Sequence, residues 1–150
     1  MARIDKEVIV NSTLERVFRY VSDPNNWPEL WPSLMAVKDV KTLSNGGFSA
    51  AYEYKMIGMR FGGTGECTDY VPNQWMVIDT KGGIHGRITL TFRSIEDRTR
   101  VTITIEYKVP VPLLGKLTEY IILKMNEQEA NLVLNNLQLR FMVDIDSFKN

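Results

Sequence analysis

The sequence predicts an α+β fold in which a curved antiparallel β-sheet wraps around a long C-terminal α-helix, with a small helical segment near the N-terminus. Two observations carry this prediction. Between residues 35 and 109, β-type runs alternate with turn signals roughly every ten to fifteen residues, which is typical of consecutive hairpins. After residues 110–112 (Pro-Val-Pro), apolar residues instead recur at helical spacing almost to the end of the chain.

Length and charge limit the classes of function. The 150 residues fit one domain over residues 1–150 that can bury a core and still leave an internal pocket. Lysine plus arginine and aspartate plus glutamate number 18 each, so the net charge of zero gives no attraction to nucleic acid. We therefore expect no nucleic-acid partner.

The N-terminal residues and the cysteine content indicate the compartment. The opening MARIDKEVIV lacks the apolar run of a signal peptide, and no segment approaches the roughly 20 apolar residues of a transmembrane helix. Cys67 is the only cysteine, so no internal disulfide and no cysteine-based metal cluster can form. We expect a cytoplasmic protein with no transmembrane segment, no metal and no other cofactor.

The N-terminal third combines a strand with a short helix. Residues 4–10 are rich in β-branched side chains and predict the first strand. Ser12 and Glu15 have the spacing of a capping box, which predicts that a helix of about three turns begins here. Its apolar stripe comprises Leu14, Val17, Phe18 and Val21. Pro24 is expected to end it, because a residue before proline disfavours the helical conformation.

Strict alternation identifies the strands. Residues 100–109 place Val101, Ile103, Ile105, Tyr107 and Val109 on one face, and polar residues between them on the other. The preceding strand presents Ile88, Leu90 and Phe92 in the same way, so we expect the two strands to pair. Further strands are predicted over residues 48–57, 64–71 and 75–80.

The apolar pattern of the terminal helix changes phase. Leu114, Leu117, Ile121 and Met125 share one face, whereas Ala130, Leu134, Leu137, Phe141 and Ile145 share nearly the opposite one. This change predicts a kink or break near residues 126–128. A second apolar row comprises Leu132, Leu139 and Val143, and we expect it to be covered by the first helix or by a partner chain. The latter alternative would give a homodimer.

A local resemblance extends the prediction. The sequence NSTLERVF at residues 11–18, followed by SDPNNWPELWP at residues 22–32, resembles the opening of the polyketide cyclase/dehydrase-like branch of the START-like helix-grip (SRPBCC) superfamily. The order of predicted elements resembles that superfamily over the whole chain. The resemblance implies a helix-grip fold. It does not decide activity, because the superfamily contains lipid carriers, hormone receptors, cyclases, quinone-binding proteins and chaperone activators.

A bent sheet around one helix tends to leave an apolar cavity, which is the default ligand site. The candidate lining residues are Trp31 near the mouth, Tyr52, Tyr54, Glu66, Leu90, Phe92, Ile103, Ile105 and Tyr107 on the sheet, and Ala130, Leu134 and Leu137 on the helix. Ordinary core packing is the alternative for each apolar residue. Trp27 and Trp31 either pack in the core or close the entrance of the cavity.

Polar candidates for catalysis are few, and no catalytic residue is identified. A cavity tyrosine can act as an acid, although a buried tyrosine usually only needs a partner for its hydroxyl. Glu66 shares one face of its predicted strand with Thr64 and Thr68. If that face points inward, Glu66 would be a general acid or base; the alternative is that Glu66 is exposed or forms a salt bridge. His85, the only histidine, lies outside the expected apolar face.

Three functions follow, in order of preference. The first is binding of a small hydrophobic or aromatic molecule, such as a lipid, a quinone or a polyketide-like compound. The second is a polyketide cyclase or aromatase that uses cavity tyrosines and a carboxylate for proton transfer. The third is a protein-partner-binding module. The sequence leaves open whether the chain is an enzyme.

Overall fold

A computed structural model describes residues 2–56, 58–82, 85–108 and 115–148, with side chains in the last range described for residues 120, 121 and 123–142. The elements in chain order are β1 (Ala2–Val10), α1 (Leu14–Val21), a 3₁₀ turn (Pro24–Asn26), α2 (Trp27–Leu30), β2 (Leu34–Thr42), β3 (Phe48–Met56), β4 (Met59–Val71), β5 (Trp75–Gly82), β6 (His85–Ile95), β7 (Arg98–Lys108) and α3 (Gly115–Phe148). The seven strands form one antiparallel sheet in the order β1-β7-β6-β5-β4-β3-β2. The predicted α+β helix-grip class is confirmed.

The predicted capping box of α1 is wrong. The N-cap is Thr13, no side chain caps the helix, and its eight residues make about two turns rather than three. Ser12 is instead held against β7, where its carbonyl accepts a hydrogen bond from the Thr99 hydroxyl at 2.9 Å. The predicted stripe is present: Val17, Phe18 and Val21 are buried and Leu14 packs against the same core.

The tryptophan- and proline-rich segment forms the 3₁₀ turn and α2. Asp23 caps the turn by accepting a hydrogen bond from the Asn25 amide. The Trp27 indole donates to the Val21 carbonyl at 2.7 Å, and its ring stacks on Trp31 with centroids 5.0 Å apart. Trp27 is therefore a core residue, while Trp31 is half-buried beside it.

The register of the sheet determines which side chains face inward. As predicted, β6 and β7 pair directly, with Ile88 opposite Ile105, Leu90 opposite Ile103 and Phe92 opposite Val101. Within β4, a register shift between Cys67 and Asp69 marks a bulge. Val109, at the end of the predicted strand, and Ile57 lie outside the described residues.

The predicted break in α3 is wrong, because one helix runs uninterrupted over Gly115–Phe148. No glycine or proline follows Gly115 within it, so its backbone hydrogen bonds continue where the apolar pattern changes phase. The phase change reflects exposure: Ile121 and Met125 face outward, whereas the inward face packs on the sheet. The side chains of Leu114, Leu117 and Ile145 lie outside the described set.

The second apolar row of α3 is not covered by α1. Leu132 and Leu139 are 46% and 56% exposed. The side chain of Val143 lies outside the described set. Coverage by a partner chain remains a prediction. In the part of the chain that the structure describes, no helix has both the length and the apolar character needed to cross a membrane.

Candidate functional site

A cavity of about 160 Å³ lies between the inner face of the sheet and α3. Its lining is mostly apolar and aromatic: Pro24, Trp27, Trp31, Leu34, Val37, Phe48, Ala50, Tyr52, Tyr54, Met56, Gly65, Ile78, Ile88, Ile105 and Tyr107. The polar or backbone contributions come from Ser33, Thr80, Gly86, Arg87, Glu106, Asn126 and Glu129. Such a lining suits an apolar ligand with a few polar groups.

Two glycines on β4, of which only Gly65 lines the cavity, differ in the space around them. A Cβ at Gly65 would meet only the Ile78 Cγ2, at 3.4 Å, so the cavity begins where this side chain is missing. A Cβ at Gly63 would overlap the Lys81 carbonyl and lie 2.7 Å from the Tyr52 hydroxyl. Gly63 therefore permits close packing, whereas Gly65 leaves space.

Tyr54 and Tyr107 both line the cavity, and their hydroxyl groups are buried. Their side chains are only 6% and 3% exposed, and both rings pack in one cluster with Ala130 of α3. Tyr54 also stacks on Phe61, with ring centroids 5.2 Å apart. Neither hydroxyl has a hydrogen-bond partner among the described residues. Asn126 lies beside the Tyr107 hydroxyl without reaching hydrogen-bonding geometry.

Burial keeps both phenols protonated. It raises the pKa of Tyr54 far above the ordinary range, with smaller contributions from Tyr52 and the Glu129 carboxylate. Burial also raises the pKa of Tyr107, and the neighbouring Asn126 amide opposes this effect. At neutral pH the two groups are hydrogen-bond donors and not bases.

Glu129 is the carboxylate that α3 brings to the cavity. It accepts a hydrogen bond from the Ser33 amide at 2.9 Å and a second from the Ser33 hydroxyl. Asn136, two turns further along α3, donates to the Leu30 carbonyl at 2.9 Å. These bonds hold α3 against the segment that contains Trp27 and Trp31, two residues that line the cavity.

The two charged residues that the sheet contributes to the lining, Arg87 and Glu106, have ion-pair partners outside the cavity. Arg87 donates to Asp79 at 2.7 Å, and this bond lowers the pKa of the Asp79 carboxyl. Glu106 lies 3.9 Å from the Arg3 guanidinium. In the described part of the chain, no group of three potential ligands is arranged to hold a metal ion.

The structure brings together some of the predicted site residues and separates others. Trp31, Tyr52, Tyr54, Ile105 and Tyr107 line the cavity. The remaining apolar candidates are buried in the packed core instead: Leu90, Phe92, Ile103, Leu134 and Leu137. Ala130 does not line the cavity and is buried in one cluster with Tyr54 and Tyr107.

The placement of Glu66 in the cavity is wrong. Gly65 and Cys67 take the inner face of β4, so the Glu66 side chain is exposed on the outer face. His85 is also exposed and does not line this cavity.

Sequence reasoning missed Asn126 and Glu129. Asn126 and Glu129 lie three residues apart on the predicted terminal helix, and Glu129 directly precedes the candidate residue Ala130. Residues at this spacing share one side of a helix, and this is the signal that would have identified them.

Comparisons with known proteins identify the family. The family model described as "Polyketide cyclase / dehydrase and lipid transport" matches residues 1–141. The chain belongs to this family. No curated protein matches it in sequence.

Solved structures share the fold at low identity. A protein from Thermus thermophilus is 18% identical with a TM-score of 0.82, and the match covers 95% of this chain and 99% of that one. The Zhui aromatase/cyclase from Streptomyces is 12% identical with a TM-score of 0.82, covering 96% and 95%. A START superfamily protein from Mycobacterium smegmatis is 14% identical with a TM-score of 0.78, covering 93% and 97%. The chain therefore has the helix-grip fold of the START superfamily.

Proposed function

We propose that residues 1–150 form a single domain that binds a small hydrophobic or aromatic molecule, such as a lipid, a quinone or a polyketide-like compound, between the sheet and α3. The cavity of about 160 Å³ carries this proposal. Its aromatic side chains, Trp31, Tyr52 and Tyr54 among them, offer flat faces on which a planar ligand can stack. A well-packed core would contain no such space.

Mass spectrometry of protein purified gently from its native host tests the proposal. We expect a stoichiometric small molecule in the native spectrum that is released on denaturation. The variant Gly65→Val fills part of the cavity and should lose this species, whereas Thr64→Val introduces the same side chain at the neighbouring, exposed position and should retain it. Equal occupancy in both variants would place the molecule outside the cavity and contradict the proposal.

A cyclase-type activity is the second candidate. It is supported by the family description, by the matched aromatase/cyclase structure, and by the presence of Tyr54, Tyr107 and Glu129 in the lining of one cavity. A protonated tyrosine can donate a hydrogen bond to a ketone oxygen while a carboxylate takes a proton from the adjacent carbon, which forms the enolate that closes the ring. Incubation with a short oligo-ketide thioester should then give a product that has lost water, and Tyr54→Phe should slow its formation. If the wild type forms neither a dehydrated product nor a cyclised isomer of unchanged mass that chromatography separates from the substrate, this candidate is eliminated.

Two further proposals concern assembly and location. The exposed Leu132 and Leu139 on α3 support a homodimer, which solution scattering at increasing protein concentration would detect. A constant monomer mass would contradict it. The single reduced cysteine, Cys67, supports a cytoplasmic location, which cell fractionation would test.

A further inference from the structure

The outward face of α3 carries a regular row of exposed side chains. Its positions follow one another at alternating steps of four and three residues, and we call them the outward row: Ile121, Met125, Gln128, Leu132, Asn135, Leu139 and Met142. The apolar members of the row are between 38% and 56% exposed. This spacing is the heptad pattern with which two α-helices pack along each other's length.

The opposite face of α3 is already packed against the rest of the domain. Its buried side chains are Ala130, Val133, Leu134, Leu137 and Phe141. At about 100° per residue, the outward row is centred nearly opposite these residues. A second molecule can therefore contact the outward row while α3 stays packed on its own sheet.

The polarity of the outward row is the same in both directions from Leu132. An amide side chain comes next on each side, Gln128 and Asn135, and an apolar side chain follows each of them, Met125 and Leu139. Both ends of the row are also apolar. A parallel pair of identical helices needs no such symmetry, because every residue then meets itself. An antiparallel pair needs it, because each position meets the one equally far beyond the twofold axis.

The charged side chains beside the outward row are engaged within the chain. Lys124 lies 3.6 Å from Glu127 and 5.6 Å from the centre of the Tyr120 ring. Arg140 lies 5.1 Å from the centre of the Tyr20 ring. A helix that lies on a membrane instead has a polar face rich in lysine and arginine, and the two amides of the row would lose hydrogen bonds among lipid chains. These features favour a second helix as the partner, since its amides can replace those bonds.

We propose, resting on the homodimer proposed above, that two copies of the chain associate through their outward rows in antiparallel orientation, with the twofold axis at Leu132. Gln128 of one copy then pairs with Asn135 of the partner subunit, and Met125 packs against Leu139 of the partner subunit. Each amide can both donate and accept a hydrogen bond, so the pair is satisfied inside the interface. The amides also fix the register, because a shift along the row places an amide against an apolar side chain.

Disulfide cross-linking of cysteine variants tests the arrangement, because a disulfide requires Cα atoms within about 7 Å of each other. After mild oxidation, Leu132→Cys should form a cross-linked dimer with itself. Met125→Cys and Leu139→Cys should each give none alone, because each position lies about 10 Å from the twofold axis and about 21 Å from its counterpart. A co-incubated mixture of these two variants should cross-link. The wild type, whose Cys67 is buried, should not.

Analytical ultracentrifugation of the wild type separates failure of the arrangement from failure of the homodimer. A dimer in which Met125→Cys and Leu139→Cys each cross-link alone is parallel, which overturns the arrangement and leaves the homodimer standing. A dimer whose Leu132→Cys variant forms no cross-link has the same consequence. A monomer at high protein concentration overturns both proposals.

Leu132→Glu provides a second readout, and Met59→Glu is its matched control. Glutamate at the twofold axis places two carboxylates against each other, so the dissociation constant of the dimer should rise by more than about tenfold. Met59 is 44% exposed on β4, outside the outward row, and its replacement should leave the constant unchanged. An unchanged constant in Leu132→Glu would overturn the arrangement. Cosedimentation of the wild type with phosphatidylglycerol vesicles, abolished in Leu132→Glu, would assign the row to a membrane and overturn it as well.

Discussion

The interface between the sheet and α3 is tightly packed at one end and open at the other. On β7, Ile103 is 0% exposed and packs in the core, whereas Ile105, two residues later on the same face, lines the cavity. On α3, Leu134 and Leu137 fill the packed end, and Ala130 occupies the position about one turn earlier. The backbones of β7 and α3 are regular through both ends. Side-chain volume therefore decides where the cavity lies.

The two ends also differ in polarity. The packed end has an apolar interior in which aromatic rings meet edge to face, as Phe18 and Phe92 do at 5.0 Å. The cavity end contains tyrosines, Asn126 and Glu129. Contacts within the packed end stabilise the fold, while the open end gives up contacts that a ligand can restore. This division predicts that substitutions at the two ends have different consequences.

The largest expected effect is a difference between Ile103→Ala and Ile105→Ala. The first creates a cavity in a packed region and should lower the free energy of unfolding by about 2–5 kcal/mol. In the second variant, the side chain that is removed already borders the cavity on one side and makes fewer contacts. The loss in free energy of unfolding should therefore be about half as large. Urea denaturation of the two variants measures both. Equal losses would show that the two ends are packed alike.

The next effect separates the two glycines of β4. Gly63→Ala places a methyl group against the Lys81 carbonyl and the Tyr52 hydroxyl, so it should destabilise the protein by about 1–3 kcal/mol. Gly65→Ala points into the cavity without strain and should be neutral or stabilising by about 0.4–1 kcal/mol. Thermal unfolding compares them. A destabilising Gly65→Ala would mean that the cavity floor is closed.

Much of the fold was predictable because periodicity reports which face of an element is buried. Alternation in β6 and β7 gave the correct pairing, and Val17, Phe18 and Val21 gave the buried face of α1. The same reasoning does not place Glu66 correctly. Alternation divides the side chains of a strand between two faces, but it does not say which face points inward when glycines interrupt the pattern.

The cavity itself was less predictable. Periodicity shows that Leu90, Ile103 and Leu134 face inward, but it does not show whether the space before them is filled. That depends on the volumes of side chains from several distant elements, such as Gly65 and Ala130. The change of phase in α3 likewise predicts a break that is absent, because the change only marks where the helix exposes an apolar face.

A smaller effect should appear when Tyr54 is replaced by phenylalanine. Removal of a buried hydroxyl without a partner among the described residues should stabilise the protein at neutral pH by about 1 kcal/mol. Because the pKa of Tyr54 is raised in the folded state, the unfolded state loses its proton first. Ionisation of this group therefore leaves the free energy of unfolding unchanged below about pH 10 and lowers it as the pH rises above that value.

Urea denaturation at several pH values between about 8 and 11 measures this dependence, since an unperturbed tyrosine ionises near pH 10. The wild type should lose more stability over that range than Tyr54→Phe. Tyr70→Phe, outside the cavity, serves as the reference substitution. Identical curves for wild type and Tyr54→Phe would show that the Tyr54 hydroxyl is accessible to water.

The smallest effect is expected on the outward face of α3. Leu132 is 46% exposed, so Leu132→Ala should change the free energy of unfolding of the monomer by less than about 0.5 kcal/mol. The inward Leu134 is buried, and its replacement by alanine should cost several times more. Denaturation at two protein concentrations distinguishes exposure from assembly, because a dimer gains stability with concentration. A concentration-dependent loss in Leu132→Ala would mean that a second copy covers this row, and the contrast between the two faces of α3 would then hold only for the isolated chain.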